Sequence, residues 1–325
     1  MTSTILILAI CTVGLTFLGG RLYSRVWLHV RGTELTPTGF GAFLALALLA
    51  ACVIHGAQVS VVVALAIVTL ATAVYWLDDV RELSARFRIA VSFATGVGIC
   101  AALLTDITDW PLWRLAFVCL AAGVVNVILA NIINFYDGAD LNLGTVIALT
   151  AGVILMSSPS GDVMWTSGIA CLAFIIPFGV MNSRPRTIYL GDSGSFAFAS
   201  FVTMLVIIHL RGGGEVDARA AIPLALPSFD TFFVFCVRIV QKHDLLSRNY
   251  LHLYQKLNRR YRGFGYLAPQ VGNVLLCLVT VHLVHKTNLP TMAAVLIAMV
   301  LVTVPFYFVC RTIFLPGDKV GEGAA

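Results

Sequence analysis

Apolar runs long enough for a helix to cross a bilayer recur along the whole chain, separated by short polar breaks. Runs of about 18 or more residues with few charges are the mark of membrane-spanning helices. Eleven spans are predicted, near 3–20, 39–56, 59–77, 87–105, 112–130, 143–158, 163–181, 194–210, 220–240, 268–286 and 290–312. Span six is short. Span nine holds Pro223, Pro227 and Asp230, so a broken or re-entrant helix is expected there. The pattern is that of an all-α polytopic membrane protein with eleven spans, or ten. It forms a single integral membrane domain over 1–325, in which 241–267 is the long polar connection.

Composition supports this. Of 325 residues, 59% are hydrophobic and 11% charged, and the mean hydropathy is +0.93. Soluble domains run to roughly 45–50% apolar and about 25% charged, and the breaks leave no room for a separate soluble domain. The first apolar segment has no basic residues ahead of it and Arg21, Arg25 and Arg31 behind it, which fits a membrane span better than a cleaved signal. The eight cysteines are scattered, without a CxxC pair, and are expected to be small buried apolar residues.

Charge sets the orientation. Seventeen of the 21 Lys and Arg residues fall in the odd-numbered loops and the C-terminal tail; only Arg114, Arg211, Arg219 and Lys286 lie in the even loops. By the positive-inside rule the odd loops are cytoplasmic and the N-terminus periplasmic. The net charge of +5 belongs to that cytoplasmic rim and points to anionic lipids or an anionic substrate. Asp78, Asp79, Glu82, Asp137, Asp140 and Asp192 fall on the same side, so function is expected on one face.

Four polar clusters stand there. In "YWLDDVRELSARFRIA", Asp78 and Asp79 close span three, and Glu82 shares a face with Asp78 if the helix continues. Adjacent carboxylates repel unless a cation or proton lies between them, and hard oxygen ligands suit Mg²⁺. Arg86 and Arg88 are near enough in sequence to reach phosphate. In "NIINFYDGADLNLG", Asn131 and Asn134 belong to the last turn of span five; Gly138 ends the helix, so Asp137 and Asp140 hang from the loop. In "YLGDSGSFAFAS", a Gly-rich turn holding Asp192 feeds a helix N-terminus, a ready anion site, with Ser195 expected as its N-cap. The fourth is "RIVQKHDLLSRNYLHLYQKLNRRYRGFGY", which carries Arg248, His252 and a run of further basic residues. The plainer alternatives are solvated helix ends, turn chemistry and headgroup contacts. Together the clusters suit a Mg²⁺–pyrophosphate substrate meeting a lipid.

"LDDVRELSARFR", "NIINFYDGADLNLG", "NSRPRTIYLGDSGS", "HLYQKL" and the Gly-rich "TPTGFG" at 36–41 resemble, in order and spacing, motifs of the polyprenyl-phosphate N-acetylhexosamine-1-phosphate transferases, the MraY/WecA family. The resemblance runs from about residue 30 to 260. "HLYQ" is most similar to members, WbpL-type, that begin O-antigen or other surface glycans with UDP-linked deoxy-N-acetylhexosamines. It implies a multi-pass enzyme of the bacterial inner membrane that joins a UDP-N-acetylhexosamine-type sugar nucleotide to undecaprenyl phosphate with Mg²⁺, or Mn²⁺, as cofactor. Membrane lipids are its other partners, a homodimer is open, and no nucleic acid is involved.

The same resemblance implies roles. Asp192, Asp79 and Asp137 match metal-side aspartates. Asp78 and Asp79 match the pair assigned to lipid-phosphate activation. Arg88, Asn131, Asn134, Asp140, Asn182 and His252 become substrate-binding candidates, and Arg248 of the basic loop joins them on its charge. The sequence departs from the family at Phe40, where glycine is usual; at Leu141 and Asn142, after Asp140; and at Tyr254 and Gln255, where histidines are usual. Two rivals share some features. A UbiA-type membrane prenyltransferase also uses aspartate-rich Mg²⁺ motifs. A secondary transporter places acids near mid-membrane, where Asp230 is the candidate.

Overall fold

The structure is a computed structural model that describes residues 2–31, 36–105, 110–183, 186–211, 218–243, 251–261, 267–286 and 291–316. Its elements are helices: α1 (Thr2–Arg31), α2 (Ala42–His55), α3 (Val59–Val80), α4 (Ala85–Leu103), α5 (Leu112–Tyr136), α6 (Asn142–Ser157), α7 (Val163–Asn182), α8 (Gly191–Leu210), a 3-10 helix (Ala218–Leu224) continuing into α9 (Ala225–Val240), α10 (Leu253–Arg260), α11 (Ala268–Lys286) and α12 (Thr291–Phe314). Among the described residues nine helices are long and apolar enough to cross a membrane, and α2 and α6 are shorter apolar helices. The protein is thus an all-α polytopic membrane protein, and each of the eleven expected spans is a helix.

Two local expectations, at α1 and at the end of α3, are corrected, and the break expected in span nine is observed. Helix α1 does not stop near residue 20 but runs to Arg31, with Arg21, Arg25 and Arg31 exposed along its added length. Arg31 donates to the Val80 carbonyl at the end of α3. Span nine is broken by a change of winding from 3-10 to α at Leu224 and Ala225. Pro223 closes the 3-10 segment, and Pro227 sits in the first turn of α9, where its missing N–H costs nothing. Finally, α3 ends at Val80 and Arg81 turns extended, so Asp78 and Glu82 share no helical face.

The chain divides into two compact units, 1–134 with 151–217, and 135–150 with 218–325. In the first, α3 packs on α8, α4 and α2, while α7 packs on α1 and α2. Helix α8 is the central element, buried over most of its length. Phe40 is buried and stacks on Phe174 and Phe178 of α7, with ring centroids 5.7 and 6.5 Å away. Phe40, where the resembled motif has glycine, therefore fills core volume. The segment 37–41 pairs with 189–190 through Tyr189 N to Pro37 O (2.7 Å), Phe40 N to Tyr189 O (3.2 Å) and Gly41 N to Leu190 O (2.9 Å). In the second unit, α12 packs on α11 and α9, around Leu226, Leu253, Leu257, Leu276 and Tyr307.

Candidate active site

In the first unit, the C-terminal ends of α3 and α5 and the N-terminal ends of α4 and α8 bring charged groups together. A helix N-terminus has unpaired N–H groups and the positive end of the helix dipole. At α8 those groups meet Asp79: its Oδ1 accepts the Asp192 backbone N–H at 2.8 Å and its Oδ2 accepts that of Ser193 at 3.0 Å. The Thr38 hydroxyl adds a third donor, 3.3 Å from Oδ1. The anion site foreseen at the Gly-rich turn is therefore filled by the protein's own carboxylate. Ser195 is not the N-cap. Helix α8 begins four residues earlier, and Ser195 Oγ donates to the Gly191 carbonyl inside it.

Glycine makes this contact possible. Gly191 has φ +77 and a Cβ there would collide with Asp79 Oδ1; Gly39 has φ +91 and its Cβ would stand 3.1 Å from Asp79 Oδ2. Side chains rarely adopt such φ values.

With its backbone held by Asp79, Asp192 presents its side chain to two donors. Arg88 Nη1 donates to Oδ2 at 2.9 Å and Asn134 Nδ2 to Oδ1 at 2.7 Å. The same Arg88 nitrogen reaches Asp78 Oδ2 at 3.3 Å, while Asp78 Oδ1 accepts the Leu83 N–H at 2.5 Å and fastens the α3–α4 turn. One guanidinium is thus shared between two carboxylates from different helices. The Asp78 side chain is 3% exposed, against 29% for Asp192 and 32% for Arg88. Asp192 and Arg88 are therefore the groups a soluble or headgroup ligand could touch. Tyr75 steadies this corner, donating to the Arg88 carbonyl at 3.0 Å and stacking on Phe196 with centroids 3.8 Å apart.

Other candidates are placed differently. Asn131 is turned onto its own helix, donating to the Val127 carbonyl at 2.8 Å. Asn182 is buried and donates to the Ile188 carbonyl at 2.9 Å, which holds the segment leading to Gly191. Arg248 lies outside the described residues. Asp137, Asp140 and His252 belong to the second unit. There, Gln270 Nε2 donates to the Asp140 carbonyl and to Asn142 Oδ1, both at 2.6 Å. Leu141 sits at φ +65 between them, a strained conformation for a non-glycine residue.

The histidine-segment departures have roles in the same unit. The Tyr254 hydroxyl donates to the Phe135 carbonyl at 2.7 Å and fills the space a Cβ at Gly138 would take. Gln255 Oε1 accepts the His252 backbone N–H at 3.3 Å. Burial, reinforced by the negative charges of Asp230 and Asp137, pushes the Tyr254 phenol above its ordinary pKa, so it stays a donor. Sequence reasoning missed Thr38 as a partner of Asp79 and left Asp230 without a role.

Among the described residues no three His, Cys, Asp or Glu side chains gather as a metal-binding group. Mg²⁺ does not need three: it keeps several waters and takes one or two carboxylates plus phosphate oxygens. Each oxygen of Asp192 accepts one bond and keeps a second acceptor position, and the group is partly exposed. Asp192 fits such an ion. Asp79 Oδ1 already accepts two bonds and Oδ2 one.

The helices and this cluster define a class: a polytopic membrane protein whose charged site lies at gathered helix ends. The sequence comparisons then narrow it. Residues 60–210 match the family described as Glycosyl transferase family 4, and that segment contains Asp78, Asp79, Arg88, Asn134 and Asp192. The matched segment lies within the stretch that carries the motif resemblance. A Bacillus subtilis (strain 168) protein named as a probable undecaprenyl-phosphate N-acetylglucosaminyl 1-phosphate transferase is 25% identical over 191 residues, 56% of this chain and 53% of the relative. A Thermotoga maritima undecaprenyl-phosphate alpha-N-acetylglucosaminyl 1-phosphate transferase is 27% identical, covering 57% of each chain. A Synechococcus elongatus phospho-N-acetylmuramoyl-pentapeptide-transferase is 30% identical over 53% of each. The chain spans about half the length of the curated relatives it matches.

Proposed function

We propose that this protein transfers an N-acetylhexosamine-1-phosphate, or a deoxy derivative, from a UDP-sugar to undecaprenyl phosphate, as the first membrane step of a bacterial surface glycan such as O-antigen. An oxygen of the lipid phosphate forms a bond to the sugar-bearing phosphorus. The bond from that phosphorus to the bridging oxygen breaks, and UMP leaves. The products are undecaprenyl-diphospho-sugar and UMP. The basic rim read from the sequence supports a site on the cytoplasmic side of the inner membrane.

The observation that carries the reading is the Asp78–Arg88–Asp192–Asn134 cluster, assembled from three separated motifs of the matched segment. The relatives' names supply the substrate class. Mg²⁺, when bound, neutralises charge that develops on phosphate oxygens. Asp192 would hold it. Arg88 and Asn134 fix the Asp192 carboxylate, Asp79 fixes its backbone, and Arg88 is a cation available to a substrate phosphate. The expected contributions of Asp137, Asp140 and His252 rest on the family resemblance.

The test is direct. The purified protein in lipid nanodiscs, given Mg²⁺, undecaprenyl phosphate and a panel of UDP-N-acetylhexosamines and their deoxy derivatives, is expected to release UMP with at least one sugar. No release from any of them, in a sample shown to be folded, contradicts the reading and favours the transporter alternative.

A further inference from the structure

Asp230, in the apolar helix α9, is a buried carboxylate that the reaction above leaves unused. It is 1% exposed, and a charge so placed must be compensated. Its Oδ2 accepts from His252 Nδ1 at 2.9 Å. Its Oδ1 accepts the Leu253 backbone N–H at 2.9 Å and the Tyr307 hydroxyl at 2.8 Å. Arg311 in turn donates to the Tyr307 hydroxyl at 3.2 Å. All of these residues lie in the second unit.

Two of these bonds are what a purely structural carboxylate would make. The Leu253 bond ties down the start of α10, and the Tyr307 bond ties α9 to α12. The bond to His252 does something else. A carboxylate only accepts, so Nδ1 must carry the proton, and Nε2 becomes the nitrogen left for chemistry. The ring has little freedom. Its backbone N–H is held by Gln255 and its neighbour's by Asp230, and its face lies on Tyr254 with centroids 5.7 Å apart and planes 25° apart. Tautomer and orientation are thus fixed from behind, as carboxylates fix histidines at metal and acyl-transfer sites.

We infer that Asp230 is a positioning residue that holds the His252 imidazole with Nδ1 protonated, leaving Nε2 as an acceptor for a hydroxyl or N–H group of the nucleotide sugar. The substrate half of this statement rests on the proposed reaction; the Asp230–His252 pairing does not.

The experiment has two arms on the full chain in nanodiscs. In the first, ¹⁵N-histidine NMR reads the tautomer of His252 in the wild-type protein, its signal assigned by its loss in His252→Gln. Protonated Nδ1 is expected, with the pattern shifting toward Nε2 protonation in Asp230→Asn. A bare Nδ1 in the wild type overturns the inference, and this spectrum needs no Asp230 variant to fold. In the second arm, Asp230→Asn and His252→Ala are each expected to lower kcat/KM for the UDP-sugar about tenfold or more. The double variant should be no worse than His252→Ala, and Asp230→Glu should recover part of the loss. Losses that multiply in the double variant, or a stability loss in Asp230→Asn with kcat/KM unchanged, assign Asp230 a structural role and overturn the inference. Absence of UMP release in the wild type would remove the proposed reaction while the NMR arm still decides the pairing.

Discussion

Asp79 and Asp192 are separated by 113 residues, yet the Asp79 carboxylate accepts the Asp192 backbone N–H at 2.8 Å. The relationship divides the labour within the acid doublet. Asp79 fixes the backbone that carries Asp192, whereas Asp78 shares with Asp192 the guanidinium that orients its side chain.

Gly191→Ala should damage this arrangement twice over. A left-handed backbone costs a side-chain-bearing residue about 1–2 kcal/mol, and the new Cβ would push Asp79 out of the α8 N-terminus. Gly56 has the same φ of +77 but opens on empty space, so Gly56→Ala is the control. Thermal unfolding and UMP release are expected to show lowered stability in both variants and lost turnover only in Gly191→Ala. Equal activity in the two would detach the Asp79 cap from function.

Arg88→Lys keeps the charge but not the planar fork that bridges Asp78 and Asp192. Its kcat should fall about tenfold or more, equivalent to roughly 1.4 kcal/mol in the barrier, with Arg88→Gln worse. A fully active lysine variant would mean that a point charge suffices.

Asn134 and Asn131 lie one helical turn apart, but only Asn134 reaches Asp192. Removing one hydrogen bond of this kind costs about 0.5–1.5 kcal/mol, so Asn134→Ala is expected to slow UMP release about three- to tenfold. Asn131→Ala should leave the rate close to wild type. The reverse order would show that the bonded orientation of Asn131 is not the working one.

Tyr254 gives a pH signature. Burial raises its phenol pKa in the folded protein, so the unfolded phenol, near pH 10, ionises first. The stability of the wild type relative to Tyr254→Phe should be constant below about pH 10 and decline as pH rises beyond it. Unfolding measured between neutral and alkaline pH checks this; a difference growing with pH has the wrong sign.

The long helices were legible because each is a continuous apolar run, and even the break at Leu224 was announced by Pro223 and Pro227, whereas the polar helix α10 lay inside what read as a connection. The polar ends of those runs marked Asp78, Asp79, Asn134 and Asp192 as a group. What local pattern could not give was the pairing of distant groups. Ser195 looked like the cap of α8 because serine suits that position, but the cap comes from α3. Asn131 and Asn134 are alike in sequence, and only helix rotation against α8 separates them. Glu82 was aligned with Asp78 on a helix that ends at Val80. Phe40, Tyr254 and Gln255, where the chain departs from the motifs it resembles, fill a core, brace a turn and hold a backbone N–H respectively.

The central claim is that catalysis turns on the carboxylate of Asp192. The most direct measurement is the initial rate of UMP release by Asp192→Asn in nanodiscs, with Mg²⁺, undecaprenyl phosphate and the sugar nucleotide the wild type uses. Asparagine keeps the size and the backbone bonds to Asp79 but loses the charge that faces Arg88. The account predicts a rate at background with expression and unfolding temperature retained; a variant keeping more than about a tenth of wild-type turnover, a loss of under roughly 1.4 kcal/mol, would contradict it.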